Sequence, residues 1–489
     1  MKTPYRASRL ALVAGAGLCT MLAACGGDDS SPPIATPAPT PAPPVVTKPG
    51  FTSTTSVNVT ENTLDAFYTA QASDPQGDPV TITLHSGPDA DKLVMDGSGN
   101  LRFNQNPNFD LPSDANRDNF YEVVLRASAG GETTDMLLVV KVENDREGVI
   151  VKRVATGFVD PVAIAQIMGE PTLLIAERGG RVLRFDQEVN SITEDIFIRD
   201  NRRPGEILAI GYATPDGSRA EGIYMVTHSP TEGLLLQGFD ERRGAFVARK
   251  LAEPWSEPTT ASFTYQPEVL VAIGSPTEAE AQDASSAYGK LIKVKGYNLY
   301  SGASVPPSSR FIFSTEIIGD GIRRPGGFSL ADDFSYLADR GREYNELSVL
   351  HPEWRPLDFG WPFYDGTQAT RANPPAAILG PTLIYEVGDG RKQGDGIIAG
   401  QRFRASSSPA FGNAYVFFDK NGTVFSIPLA TFEDGFNHSA VEFEDRTQDF
   451  VPDTGTIGRL VGYGAGVATT FFYLLDEDGQ LFEVTQEGT

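Results

Sequence analysis

The tightest constraint on this chain is one pattern that recurs through its last 340 or so residues: an apolar strand, a polar turn usually containing glycine, then a second apolar strand. It appears as TLLIAERGGRVLRFD (172–186), as IYMVTHSPTEGLLLQGFD (223–240), and as VLVAIGSP followed after an insert by YGKLIKV (269–294). SYLADRGREYNELSVL (335–350), AYVFFDKNGTVFSIPL (414–429) and FFYLLDEDGQLFEVT (471–485) complete six copies, whose starts lie 51, 46, 66, 79 and 57 residues apart. Strand-only units near that period predict a β-propeller rather than a large irregular sandwich, because each unit can bury its faces only against its neighbours. Residues 148–489 are therefore expected to form six blades, each hairpin the middle of one. No long helical periodicity is legible, and the Ala-, Pro- and polar-rich inserts 275–288 and 362–380 read as loops.

Residues 51–147 have a different rhythm. Short alternating runs stand between turns: SVNVT, PVTITLHS, KLVMD, LRFN, FYEVVLRAS and DMLLVVKVEN. Period-two alternation predicts an antiparallel β-sandwich of immunoglobulin-like size. The whole chain is thus expected to be all-β, a sandwich followed by a propeller.

Upstream, residues 25–50 are too proline-rich to build a core and favour extended polyproline II, a stalk. Residues 1–24 carry Lys2, Arg6 and Arg9 ahead of an apolar run, Leu10 to Leu22, which is too short to span a bilayer and has the build of a signal peptide. Leu22-Ala23-Ala24-Cys25 resembles the lipobox of bacterial lipoproteins. That resemblance implies cleavage before Cys25, lipidation there, and membrane attachment through the N-terminal lipid. Gly26 after the cysteine implies the outer membrane, on its periplasmic or external face.

Only Cys19 and Cys25 occur, so the processed chain has neither a disulfide nor a thiolate site. Loss of the three basic residues of the signal moves the formal charge from -24 to -27. Such a surface repels phosphate, which argues against a nucleic-acid partner and suits hard divalent cations.

Acidic groups of the first domain sit at turns: Glu61; Asp74 and Asp78; Asp114, Asp118 and Asn119; Asp145. Oxygen ligands clustered on loops suit a six- to eight-coordinate calcium, although solvated turns have the same composition. ENT, YTAQASDPQGDPVTITL, PNFDLPSDANRDNFYEVVLRAS and VENDRE, in that order, resemble a bacterial cadherin-like domain. The resemblance implies calcium at the domain end through Glu61, Asp114, Asp118, Asn119 and Asp145, with Asp74 and Asp78 as further candidates. Ala129 stands where the family has an aspartate.

In the whole chain only His85, His228, His351 and His438 exist, none at metal-ligand spacing, and no nucleophile elbow or phosphate loop occurs. The segment 319–366 has the most character. Arg323 and Arg324 precede a Pro-Gly-Gly turn, Glu343 and Glu346 follow, and Trp361 lies in a Gly-Trp-Pro turn. Paired arginines at a channel can hold an anionic cofactor bidentately, and a nearby carboxylate loop can hold calcium. An arginine–glutamate surface network around an aromatic plug fits the same residues.

GDGIRRPGG, YNELS and DFGWP, with GFVDPVAIA, AQDASSAYGKLIKV, GDGIIAGQRFRA and DEDGQLFEV around them, resemble the glucose/sorbosone dehydrogenase family. These are propeller sugar dehydrogenases dependent on pyrroloquinoline quinone (PQQ) and calcium. The resemblance implies PQQ contacts from Arg323, Arg324 and Trp361 and a sugar substrate. The departures fall on chemistry. TTASFTYQPEVLVAIGS lacks the family's catalytic histidine, RPGEILAIGYA lacks its glutamine, and Ile322 and Arg324 replace a histidine and an asparagine. Losing a general base costs about 10² to 10⁴ in rate. Two functions stay open: a quinone-dependent sugar oxidoreductase, or a non-catalytic, calcium-stiffened surface module presenting its propeller to a glycan or protein.

Overall fold

All six hairpins become the two middle strands of antiparallel sheets in the computed structural model. The structure describes residues 47–487 apart from 168, 197–204, 214–221, 241–244, 255–258, 265–268, 299–310, 331–334, 352, 354–355, 434 and 467–469. The signal segment, Cys25 and most of the proline-rich stretch lie outside the described residues.

Blade one is Pro161–Gln166, Thr172–Glu177, Val182–Asp186 and Ser191–Asp195. Blade two is Glu206–Ala213, Gly222–Ser229, Gly233–Asp240 and Ala245–Ala252, and blade three is Ala261–Thr264, Leu270–Ile273, Lys290–Asn298 and Phe311–Asp320. Blade four is Pro325–Leu330, Ser335–Arg340, Tyr344–Leu350 and Leu383–Glu386; blade five is Ile397–Arg402, Ala414–Asp419, Val424–Pro428 and Glu444–Asp445. Blade six takes Leu460–Ala465, Phe472–Asp476 and Gln480–Gln486 from the end of the chain. Its outermost strand, Val149–Thr156, comes from the start of the propeller. That shared blade ties the ring shut. The first strands of consecutive blades pack on one another around the whole circle, the sixth returning to the first.

The middle strands read as continuous apolar runs rather than alternating ones because both of their faces are covered by neighbouring blades. Leu173, Leu174, Ile175 and Ala176 are all fully buried. A separate apolar cluster fills each gap between adjacent blades. The blades approach closely: a Cβ on Gly326 would stand 1.7 Å from the Ile397 carbonyl oxygen, so no side chain fits there. The longest α-helix among the described residues is Leu429–Phe432, and no helix there is long and apolar enough to cross a membrane.

The first domain is a sandwich. One sheet joins Ser56–Thr60, Glu132–Glu143, Phe120–Ala129 and Thr81–Ser86; the other joins Tyr68–Thr69, Asn100–Phe103 and Leu93–Met95. Alternate residues Tyr121, Val123, Leu125, Leu138 and Val140 fill the core between them, as the period-two pattern requires. Sandwich and propeller together form one compact unit, Lys48–Thr489.

Candidate functional site: a cationic mouth on the propeller channel

A recurring acid builds the site. In four blades the second strand ends in a buried carboxylate that accepts backbone N–H groups from the segment entering the same blade's first strand. Asp339 in blade four, 8% exposed, accepts from Arg323 at 2.9 Å and Arg324 at 2.6 Å. Asp419 in blade five accepts from Asp395 at 2.9 Å and Gly396 at 3.1 Å; Asp476 in blade six accepts from Gly458 at 3.1 Å. Glu177 in blade one accepts from Val159 at 2.8 Å. The residue after each acid, respectively Arg340, Lys420, Glu477 and Arg178, is delivered to the channel or its mouth.

First strands from all six blades line the channel, a cavity of about 240 Å³. It is continuous, through Thr259, Thr260, Gly326 and Lys420, with a mouth of about 420 Å³. Six basic residues line that mouth: Arg323, Arg324, Arg340, Arg342, Lys420 and Arg459. Glu278 and Asp395 are the only acids lining it among the described residues. Asp395 is divided between Arg340, at 3.4 Å, and Arg459; Glu278 between Arg342, at 2.6 Å, and Arg371.

Arg323 has no carboxylate partner among the described residues. Its guanidinium donates to the Arg340 and Gly341 carbonyls and lies 4.9 Å from the centre of the buried Trp361 ring, with Arg342 at 5.5 Å. Burial, then the Arg324 and Arg340 charges, holds the Arg323 guanidinium below its ordinary pKa. Burial and then Arg459 lower Lys420 in the same way. Buried Arg340 Nε and Thr260 Oγ1 have no hydrogen-bond partner. Surplus positive charge with open donors, in a chain of net charge -24, gives the mouth the chemistry that attracts anions.

The structure brings Arg323, Arg324 and Trp361 together here as expected. It does not bring Glu343 and Glu346 together: Glu343 is exposed, whereas Glu346 is buried and accepts from Gly366 N at 2.6 Å. Burial, with Asp339 and Asp365 nearby, pushes Glu346 well above the usual carboxylate range. Asp365, which sequence reasoning passed over, organises this loop by accepting from Arg342, Glu343 and Tyr344. Arg340, Arg342, Lys420 and Arg459 were missed too. The signal for Arg340 and Lys420 was present, since each follows the acid that closes a hairpin strand. None of the four histidines lines the channel or mouth.

In the sandwich the expected calcium residues divide. Asp74 accepts from Gln76 and Asp78, and this turn lies at the end of the sandwich opposite Asn119 and Asp145. Asp114 accepts from Asp118 and Asn119, and Asp118 from Phe120 and Asn116. Glu61 accepts from Phe109 and Asp145, and burial pushes it up to about 7. Beside Glu61, a cluster not foreseen joins the two domains. Asp110, Glu147 and Asp449 offer carboxylate oxygens within 4.8 Å of one another, the only such group among the described residues. Arg446 enters it, at 2.6 Å from Asp449, 2.8 Å from Glu147 and 3.4 Å from Asp110. Buried Asp110 Oδ1 and Asn119 Oδ1 have no partner. Burial, then the Asp449 charge, pushes Asp110 up to about 9.

The fold and mouth define a six-bladed β-propeller whose channel opens at a cationic mouth. No protein-family model matches the chain, and no curated protein matches it. Among solved structures it is similar to a glucose dehydrogenase, at 18% identity over 68% of this chain and 98% of that one, with a TM-score of 0.49. It is also similar to the soluble aldose sugar dehydrogenase from Escherichia coli, at 15% identity over 69% of this chain and 100% of that one, TM-score 0.49. A Bacteroides thetaiotaomicron protein of unknown function covers 90% of this chain at 10% identity, with a TM-score of 0.34.

Proposed function

We propose that this chain is a lipid-tethered, sugar-dehydrogenase-like propeller whose cationic mouth holds PQQ. The supporting observation is the convergence of six basic side chains, with unpartnered Arg340 Nε and Thr260 Oγ1, beside the flat Trp361 ring. PQQ is a planar tricarboxylate, and the donor set fits it: Arg323, Arg340, Lys420 and Arg459 match the carboxylates, and Trp361 bounds the plane. When bound, it supplies a two-electron acceptor. The residues of this chain bind and orient it and narrow the access of water. Among the described residues, the acids lining channel and mouth are Glu278, Asp395 and Glu477, each tied to an arginine, so none of these three stands free to accept a sugar hydroxyl proton. That observation favours a second reading: a binding propeller without turnover.

One experiment separates the two. Purified processed chain is mixed with PQQ, calcium and a panel of aldoses. An absorbance shift with dye reduction supports the enzyme, and a shift without reduction supports the binder. No shift in the wild type, or a shift that Arg323→Ala leaves unchanged, sinks the PQQ reading.

Calcium belongs to the same proposal, at Asp110, Glu147 and Asp449. Burial holds the proton on Asp110; once a cation displaces that proton, three carboxylates against one guanidinium leave two negative charges, which balance one calcium, and Asp110 Oδ1 stands open. Lipidation of Cys25 would place the chain on the outer membrane. Labelled palmitate should enter the wild type and not Cys25→Ala.

A further inference from the structure

A cavity of about 610 Å³ lies between the sandwich and the flank of blade four, and it shares no lining residue with the channel or mouth. Its size is that of a small-molecule site. Leu111 and Pro112 of the sandwich form one wall; Tyr344 and Ile384 of blade four form the other, and Val441, 58% exposed, lies at the rim. At one side stand three cations: Arg117 from the sandwich, and Arg391 and Lys392 from the connection between blades four and five.

Their charge is not cancelled. Arg391 donates to the Arg117 carbonyl and Lys392 to the Phe443 carbonyl, both neutral oxygens. No carboxylate pairs with any of the three among the described residues. Glu386, the only acid in the lining, is held by Gln393 Nε2 at 2.7 Å. Glu444 and Asp445 lie nearby but accept from neutral groups: Glu444 from Asn108 at 2.9 Å and Ser426 at 2.6 Å, Asp445 from Thr447 Oγ1 at 2.7 Å. Burial, then the Arg391 charge, pushes Lys392 down to about 8; Arg117 adds to this and Asp445 and Glu444 oppose it. The backbone of Lys392 is left-handed, with φ of 58°, a conformation uncommon outside glycine that fixes where the side chain emerges.

We propose that this cavity binds a small amphipathic carboxylate, its head on Arg391 and Lys392 and its tail along Leu111, Tyr344 and Ile384. A bare inorganic anion leaves the apolar walls uncovered, and a neutral apolar molecule leaves the cations uncompensated.

Calorimetry on the processed full chain tests this with octanoate, octanol and inorganic phosphate. Octanoate should saturate one site, with octanol and phosphate at least about tenfold weaker. Lys392→Gln and Arg391→Gln should each weaken octanoate by about tenfold, a loss of about 1.4 kcal/mol. Affinity should fall as pH rises through about 8 in the wild type, where Lys392 loses its proton, and stay level in Lys392→Gln. Because Arg391 also touches the sandwich, Ile384→Asp provides a variant on the opposite wall. It should abolish octanoate heat, whereas Arg323→Gln at the mouth, which shares no lining residue with this cavity, should leave it unchanged. The proposal is overturned by absent saturation, by octanol or phosphate binding equally well, or by unchanged octanoate affinity in Lys392→Gln and Ile384→Asp.

Discussion

Asp339 shows how much one carboxylate does at the mouth. Its two oxygens hold the backbone that carries Arg323 and Arg324, yet burial pushes it up to about 6. A carboxyl whose folded pKa exceeds its unfolded value, near 4, keeps more protons folded than unfolded. Its contribution to stability is therefore full below about 4 and is lost as pH rises to about 6. In Asp339→Asn that loss disappears. Unfolding in denaturant should show the variant gaining on the wild type between pH 4 and 6, while one of the two N–H groups loses its acceptor at every pH. Arg323 makes a simpler prediction. Arg323→Ala removes a charge-assisted donor and its contact with Trp361, and should weaken PQQ by about 10- to 100-fold, about 1.4–3 kcal/mol. Equilibrium titration of the absorbance shift reads it.

The hairpin is the element on which reading this chain turns. Its alternation of apolar run, polar turn and apolar run was legible because the middle strands of a blade are covered on both faces, so the pattern survives wide sequence change. Arg323, Arg324 and Trp361 were legible because they lie within one short segment. Arg340 and Arg342 lie in that same segment but read as part of a hairpin turn, whereas Lys420 and Arg459 come from two other segments and meet them only once the ring closes. The Asp110, Glu147 and Asp449 group spans more than 300 residues and both domains, which no local pattern reports. The acid closing the second strand was visible in four of the six hairpins but reads as a turn residue until its N–H partners are known. Asp419 tests its weight. It is fully buried and accepts from Asp395, Gly396 and Asn421 N and from Tyr385 Oη at 2.7 Å. Asp419→Ala should cost at least about 3 kcal/mol by denaturant midpoint, because several buried donors lose a charged acceptor. Asp389→Ala, exposed on a neighbouring turn, should stay within about 0.5 kcal/mol.

At the scale of the molecule, the sandwich and propeller are locked at their junction by charge as well as by backbone. Asn144 Nδ2 donates to Asp449 at 2.8 Å, Asp445 N to the Asp110 carbonyl at 3.0 Å, and Arg146 to the Asp449 carbonyl at 2.9 Å. Arg446, 3% exposed, is the only side-chain cation paired within the carboxylate group among the described residues. Removing one partner of a buried ion network leaves uncompensated charge and costs about 3–5 kcal/mol. Arg446→Leu should therefore lower the unfolding midpoint by that amount without calcium. Millimolar calcium should then restore part of the loss, and more in the variant than in the wild type, because three carboxylates with no guanidinium attract a divalent ion more strongly than three sharing one. Potassium at matched ionic strength controls for screening. Equal calcium responses in the two proteins would place the ion elsewhere. No response in either would leave Arg446 as the sole counter-ion of the junction and end the calcium proposal there.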